Sequence, residues 1–384
     1  MYFHTENLAV GYRRKALIRD INIGVEKGQI LSLIGPNGAG KSTILKTIIR
    51  QIPPISGKLF LEGEDMSRIP NRQMAQKVAV VLTDRVQTEL TTCGEIVAAG
   101  RYPYTNRLGK MTQHDRDIVR QALARVHGEE LEDQDFSTLS DGQRQRIMLA
   151  RAICQEPEMI VLDEPTAFLD IRYKIELLDI LRQMAREKQT TVILSLHEID
   201  LAAKISDLVC CVKGDRLYAF GKPEEVLQDG TVQSLYDIQK GSFNLLFGSV
   251  ELGRPEGKPR MFVLAGGGKG IPCYRALQRQ GLPFATGILS RNDVDYQVAR
   301  ELAVQVFSKD ASQPVTEELY RQAEEQLLRT GFVIDTRDQD TPCPEWSRRL
   351  LQAAERAQIP VIRNYRCWLD NDDAAALSGV SKRI

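Results

Sequence analysis

Apolar and polar positions change period in a regular order along this chain. Tyr2–Val10, Ile18–Val25 and Ile30–Ile34 read as strands. The last is an unbroken apolar run, the kind a sheet buries on both faces. It leads straight into glycine-rich sequence and then a helix-like stretch, Ser42–Arg50, so that strand, glycine loop and helix form one α/β unit. Arg116–Val126 and Lys174–Glu187 carry the period of amphipathic helices. Met159–Leu162 and Thr191–Leu196 read as short buried strands.

The pattern breaks near residue 241 and then starts again. Gly and Pro cluster after Gly248, through Gly253, Pro255, Gly257 and Pro259, with little helical period, as in a segment that joins domains. Beyond it come strands at Arg260–Ala265, Phe284–Leu289, Val304–Ser308, Gly331–Asp335 and Ile359–Arg363. Helices at Tyr274–Gln280, Tyr296–Ala303, Thr316–Thr330 and Glu345–Ala357 alternate with them, which predicts a small doubly wound domain. The expected organisation is a first domain over 1–240, a linker over 241–258 and a second domain over 259–384.

Length agrees with this division, since 384 residues at roughly 100–200 per domain make two or three domains. The composition, 42% hydrophobic and 27% charged, is that of an ordinary globular protein. Lys+Arg and Asp+Glu are both 51, and the balance is local, with 32 basic and 33 acidic residues in 1–250. No basic half or tail marks a nucleic-acid partner. No apolar run approaches the roughly 20 residues of a membrane span. The opening residues, Met1 to Glu6, lack the basic and apolar regions of a signal peptide, so the chain is expected in the cytosol. The seven cysteines, with no C-x-x-C pair, read as reduced and mostly buried thiols. The four histidines show no metal-ligand spacing.

Candidate chemistry concentrates in two places. Gly35-Pro36-Asn37-Gly38-Ala39-Gly40-Lys41-Ser42, followed by Thr43, matches G-x-x-x-x-G-K-[ST] between a predicted strand and a helix. Glycines let backbone N–H groups converge on phosphate oxygens, and the helix start adds its positive end. Lys41 would supply a point charge to the β- and γ-phosphates, and Ser42 a hydroxyl to Mg²⁺. The second place is Asp163-Glu164, which ends the apolar run from Met159. Asp163 would hold Mg²⁺ and Glu164 would polarise an attacking water as general base.

Further motifs carry a family resemblance. Leu139-Ser-Asp-Gly-Gln-Arg-Gln145 resembles the LSGGQ signature of ATP-binding-cassette (ABC) ATPases. Phe168-Leu169-Asp170 is similar to their D-loop, His197 at a strand end to their switch histidine, and Tyr12 after Gly11 to their adenine-stacking aromatic. The resemblance covers residues 2–225. It implies a P-loop cassette with an α/β core, a helical subdomain and an antiparallel β part. It implies ATP and Mg²⁺ as cofactors, and two copies arranged head to tail with ATP between them. One copy would present Lys41, Ser42, Asp163 and Glu164; the other would present Ser140, Gly142 and Gln143 to the γ-phosphate. His197 would contact that phosphate and hold Glu164 and the water, and Asp170 would report across the interface.

Two positions depart from the family pattern. Asp141 stands where it usually has Gly, bringing a carboxylate close to a phosphate unless the side chain points outward. Thr83 stands where it usually has Gln, so the metal contact would fall to a shorter hydroxyl, with Gln87 four residues on. Ala99-Gly100-Arg101-Tyr102-Pro103-Tyr104 resembles a segment of the ATPases that serve importers of iron–siderophores, haem and cobalamin. That implies multi-span permease subunits as partners, an extracytoplasmic substrate-binding protein further out, no nucleic acid, and a peripheral position on the cytoplasmic face of the membrane. The alternative is a soluble regulatory ATPase whose second domain senses a small ligand. In that domain Gly266-Gly-Gly-Lys-Gly270 follows a strand and would cradle a phosphate or carboxylate, or form a tight structural turn. Asp293 and Asp295 lie roughly where a ribose-binding acid would be.

Overall fold

The computed structural model describes residues 1–82, 90–105, 110–167, 169–245, 247–338 and 343–370. The chain divides into two units, Met1–Asp237 and Ile238–Ile384.

The strands of the first unit are β1 (Phe3–Tyr12), β2 (Lys15–Ile21), β3 (Gly24–Val25), β4 (Ile30–Ile34), β5 (Ser56–Leu61), β6 (Glu64–Asp65), β7 (Val78–Val81), β8 (Met159–Leu162), β9 (Thr191–Ser195), β10 (Leu208–Lys213) and β11 (Arg216–Gly221). Its helices are α1 (Lys41–Ile48), α2 (Asn71–Lys77), α3 (Cys93–Ala98), α4 (Gln113–Arg125), α5 (Asp141–Cys154), α6 (Ile171–Lys188), α7 (Ile199–Ile205), α8 (Pro223–Val226) and α9 (Asp229–Tyr236). One sheet runs β6-β5-β1-β2-β11-β10-β4-β9-β8-β7, with β3 on β1. From β10 to β7 every pairing is parallel, and β1, β2, β5 and β6 form an antiparallel part. The unbroken apolar runs land where expected: all residues of β4, β8 and β9 are buried. The run Ile18–Val25, read as one strand, is instead split. Asp20 takes a φ of 53°, and the Asn22 side chain accepts the N–H of Asn7 at 2.8 Å, so Gly24–Val25 turns back onto Phe3–His4.

Helices α3, α4 and α5 pack on one another, and the first two open with a threonine capping box. Arg101 is the anchor of this helical part rather than an exposed group. Its side chain is 4% exposed and pairs with Asp115 at 3.0 Å and Glu156 at 2.9 Å, and it donates to the carbonyl of Cys154 at 3.0 Å. Hydrogen bonds from Thr112, and Arg101 beside it, pull the Asp115 carboxyl down to about 2. Tyr104 lies against the Arg101 guanidinium and donates to the carbonyl of Gln155 at 2.9 Å, whereas Tyr102 stands 68% exposed.

The second unit holds β12 (Ser242–Asn244), β13 (Ser249–Glu251), β14 (Met261–Leu264), β15 (Phe284–Ser290), β16 (Gln305–Lys309), β17 (Phe332–Asp335) and β18 (Val361–Ile362). Its helices are α10 (Ile271–Arg279), α11 (Val294–Leu302), α12 (Glu317–Leu328), α13 (Glu345–Arg356) and α14 (Tyr365–Asp370). Five parallel strands run β16-β15-β14-β17-β18, reversing order at β14 and β17. Apolar clusters cover both faces, one built around Tyr274, Phe284 and Leu277, the other around Phe262, Tyr320 and Leu350, as a doubly wound sheet requires. The stretch 241–258, expected as a linker, is not one. It contains the β12–β13 hairpin, and Arg275 of α10 binds the buried Glu251 of β13 while Asn244 donates to the Gln297 carbonyl. Gly241 and Gly248, both at positive φ, flank the first strand and the turn of a hairpin whose buried carboxylate needs a cation from the domain.

The loop after β14 also differs from expectation. Its N–H groups do converge, but on the chain's own carboxylates. Asp295 accepts from Gly268 at 3.1 Å, Gly270 at 2.9 Å and Ile271 at 3.1 Å, and Asp293 accepts from Gly267 at 3.0 Å. Asp293 also caps α11. The two acids are therefore the occupants of the glycine loop and not ribose ligands. Asp295 is fully buried, and burial together with Asp293 raises its carboxyl from 3.8 to about 6, against the pull of the three N–H donors. A carboxyl raised in the folded state binds its proton more tightly there than in the unfolded chain. Its contribution to stability is thus complete below about pH 4 and is lost as pH rises through about 6. Thermal unfolding of the full chain from pH 4 to 7 should show this slope in the transition of the second unit. Asp295→Asn should remove the slope, whatever its constant offset, and a slope that survives the substitution contradicts the assignment.

Candidate active site

The site is built where β4, β8 and β9 end. All three run parallel and adjacent, with Leu33 beside Ser195 and Leu162 beside Leu194, so the segments that follow them emerge at one edge of the sheet. After β4 the chain forms the loop Gly35–Gly40 and enters α1. Gly35 cannot be replaced, because a Cβ there would lie 2.2 Å from the carbonyl oxygen of Val212. Gly40 precedes α1 at a φ of 95°, in the left-handed region. Helix α1 has no side-chain cap and no acid in its first turn, so its positive end stays directed at the loop.

Asn37, Gly38, Ala39, Gly40, Lys41, Ser42, Thr43, Glu164 and His197 line one cavity of about 340 Å³. Lys41 is buried, and its ammonium donates to the carbonyls of Gly35 at 2.7 Å and Pro36 at 3.2 Å. Burial lowers its pKa, and the charges of Glu164 and Asp163 oppose that shift. His197 Nε2 lies 2.6 Å from Glu164 Oε1. Glu164 itself adopts a φ of 49°, a left-handed conformation that turns the chain sharply after β8.

Two residues of this site were not singled out by sequence reasoning. Ser195, fully buried at the end of β9, donates its hydroxyl to Asp163 Oδ1 at 2.7 Å and accepts the N–H of Glu164 at 2.8 Å. One hydroxyl therefore fixes both acids, and only the pairing of β9 with β8 reveals it. Leu17 of β2, 40% exposed, adds an apolar wall to the cavity; its signal was a leucine beside Ile18, out of step with the buried positions Ile18 and Ile21 of the strand. Past His197, Glu198 accepts from Thr166 at 2.9 Å and from Lys174 at 2.6 Å, tying the histidine segment to the chain that follows Glu164.

Other predicted residues are not part of the cavity lining. Ser140, Gly142, Gln143, Asp170 and Tyr12 do not line it. Ser140 and Gln143 form the capping box of α5, each satisfying the other's backbone N–H. Asp141 sits in the first turn of that helix with its side chain 51% exposed, 3.9 Å from Arg144. A carboxylate is favoured there by the helix dipole, which explains how the chain accommodates it. Asp170 caps α6 through the N–H of Tyr173, and Tyr12 stands 51% exposed at the end of β1. Thr83, Gln87 and Phe168 lie outside the described residues. No helix among the described residues is long and apolar enough to cross a membrane.

The ABC transporter family matches residues 18–167, and the MJ0874 family matches residues 284–374. An uncharacterized ABC transporter ATP-binding protein of Methanocaldococcus jannaschii is 40% identical over 287 residues, 74% of this chain and 99% of that protein. An iron(3+)-hydroxamate import ATP-binding protein of Bacillus subtilis is 32% identical over 234 residues, 61% of this chain and 87% of the relative. Among solved structures, a chain of a transporter assigned to the metal-chelate type, in an inward-facing conformation, is 28% identical with a TM-score of 0.54; the match covers 61% of this chain and 88% of that one. The chain belongs to the ATP-binding, ATP-hydrolysing subunits of ABC transporters.

Proposed function

We propose that this chain energises an importer of a metal chelate, of iron–siderophore, haem or cobalamin type, through separate permease subunits on the cytoplasmic face of a membrane. The observation that carries the catalytic part is the convergence of Lys41, Glu164 and His197 on one cavity, with Glu164 and His197 at 2.6 Å. The substrate class is supported by the hydroxamate importer subunit and the metal-chelate transporter to which the chain is similar.

In this reading the loop N–H groups and the start of α1 bind the ATP phosphates, and Lys41 neutralises them from a buried position. The hydroxyl of Ser42 and the carboxylate of Asp163 are oxygen donors, the set Mg²⁺ prefers, and Thr83 is a further candidate ligand. The metal would supply charge neutralisation to the phosphates. Glu164 accepts the proton of the attacking water, and His197 fixes the carboxylate that does so. Ser195 keeps Asp163 and Glu164 in register and touches no reactant.

The signature residues complete the site from a second copy. Ser140, Gly142 and Gln143 do not line the cavity of their own chain, while Ser140 sits at an exposed helix start suited to a phosphate. A head-to-tail pair would place them over the other copy's ATP, with Asp170 and Tyr12 contributing at the same interface and on the adenine. An extracytoplasmic binding protein would deliver the chelate to the permease. Co-purification of the chain with a multi-span protein from membranes supports this reading; a chain that never associates with one favours a soluble regulatory ATPase.

Two substitutions test the catalytic assignment. Glu164→Gln should lower ATP turnover by about 10²–10⁴-fold while leaving ATP binding intact; turnover at the wild-type rate removes Glu164 from the base role. Ser195→Ala deletes a hydrogen bond to a charged group, worth about 1.5–3 kcal/mol, and so should reduce kcat by roughly ten- to a hundredfold with KM for ATP nearly unchanged. Ser195→Thr, which keeps the hydroxyl, should recover most of the loss. An unchanged kcat in Ser195→Ala contradicts its positioning role.

A further inference from the structure

The second unit carries a basic cavity that no part of the cassette reading uses. Helix α10 places Arg275 and Arg279 four residues apart, on one face, and α14 brings Tyr365 and Arg366 against them. The space they line with Gln280 measures about 480 Å³, within the size range of small-molecule sites, and no carboxylate among the described side chains lines it.

The site is built rather than incidental. Arg275 is held by the carboxylate of Glu251, itself only 4% exposed, so its guanidinium is fixed in orientation. Arg366 stands on a helix whose Tyr365 and Trp368 pack on the core, with the Trp368 ring 5.3 Å from that of Phe332. Among the described side chains no carboxylate pairs with Arg279 or Arg366. Two like charges at i and i+4, joined by a third from another helix, disfavour one another unless a counter-charge answers them. Among the described side chains Glu251 answers one, and two remain.

We propose that this cavity binds a small anion carrying two or more carboxylate or phosphate groups. Guanidinium forks suit planar, bidentate recognition of either group. The hydroxyl of Tyr365 in the same lining supplies a further hydrogen bond. The glycine loop beside α10, where an anion is otherwise expected, is filled by Asp293 and Asp295, which leaves the flank of the helix as the anion-binding surface of this unit. Such a site would make the second unit a receptor for a metabolite.

The test is titration calorimetry on the full chain carrying Lys41→Ala, which weakens phosphate binding at the ATP loop, without Mg²⁺ and with citrate and tripolyphosphate as probes. At least one probe should bind saturably, with one site per chain and an affinity that falls as salt is added. Arg279→Gln with Arg366→Gln should weaken it about tenfold or more. Arg291→Gln, an exposed arginine paired with Asp310 elsewhere in the unit, should leave it unchanged. Stronger binding of citrate identifies a polycarboxylate class, and stronger binding of tripolyphosphate a phosphate ester class. Absence of saturable binding of either probe at millimolar concentration overturns the proposal. Binding that survives the double substitution in a chain with unchanged circular dichroism overturns it as well.

Discussion

The adjacency of β4, β9 and β8 is the constraint on which the rest of the candidate active site depends. Three buried parallel strands can only end at the same edge, so the phosphate loop, the histidine segment and the acidic pair are delivered to one place before any side chain is chosen. Side chains then refine what the sheet has set. The buried hydroxyl of Ser195 spans the gap between β9 and β8, and Glu198 with Thr166 and Lys174 repeats the connection one step further along the same two segments. The segment that carries Glu164 is thereby tied to β9 and to the chain after it on both sides, while the Glu164 backbone sits in a left-handed turn.

The two glycine loops of this chain follow similar strands and open similar helices, yet they do opposite things. At Gly35–Gly40 no acid follows in the first turn and no side chain caps the helix, so the converging N–H groups and the lysine face a cavity. At Gly266–Gly270 the N–H groups are taken by Asp293 and Asp295, and the loop is closed by the chain itself. The difference comes from two residues near the start of α11, more than twenty positions away. A glycine-rich turn after a strand therefore states a capacity for anions, and the neighbouring strand decides whether a ligand or a carboxylate side chain uses it.

Much of this was legible in the sequence for simple reasons. Buried strands are short apolar runs, and Ile30–Ile34 and Met159–Leu162 were read at their observed bounds. The phosphate loop carries its own spacing. What was hidden depends on long-range contact. Ser195 is an ordinary serine until β9 is laid beside β8. Arg101 looks like a surface residue of a docking segment until Asp115 and Glu156 are folded around it. The 241–258 stretch reads as a linker because its glycines and prolines resemble one, and only Arg275 on α10 shows that Glu251 is drawn into the domain.

In the proposed assembly each ATP site is shared, with the phosphate loop from one copy and Ser140–Gln143 from the other. Mixing two inactive variants tests it most directly. Lys41→Ala removes the loop charge and Ser140→Arg blocks the signature, so each alone should be inactive. In a mixed pair one site combines both lesions and the other combines neither. The mixture should therefore regain roughly a quarter of wild-type ATP turnover, from random pairing of two equivalent copies. A mixture no more active than its components, or a Ser140→Arg chain that hydrolyses ATP normally by itself, would contradict the account.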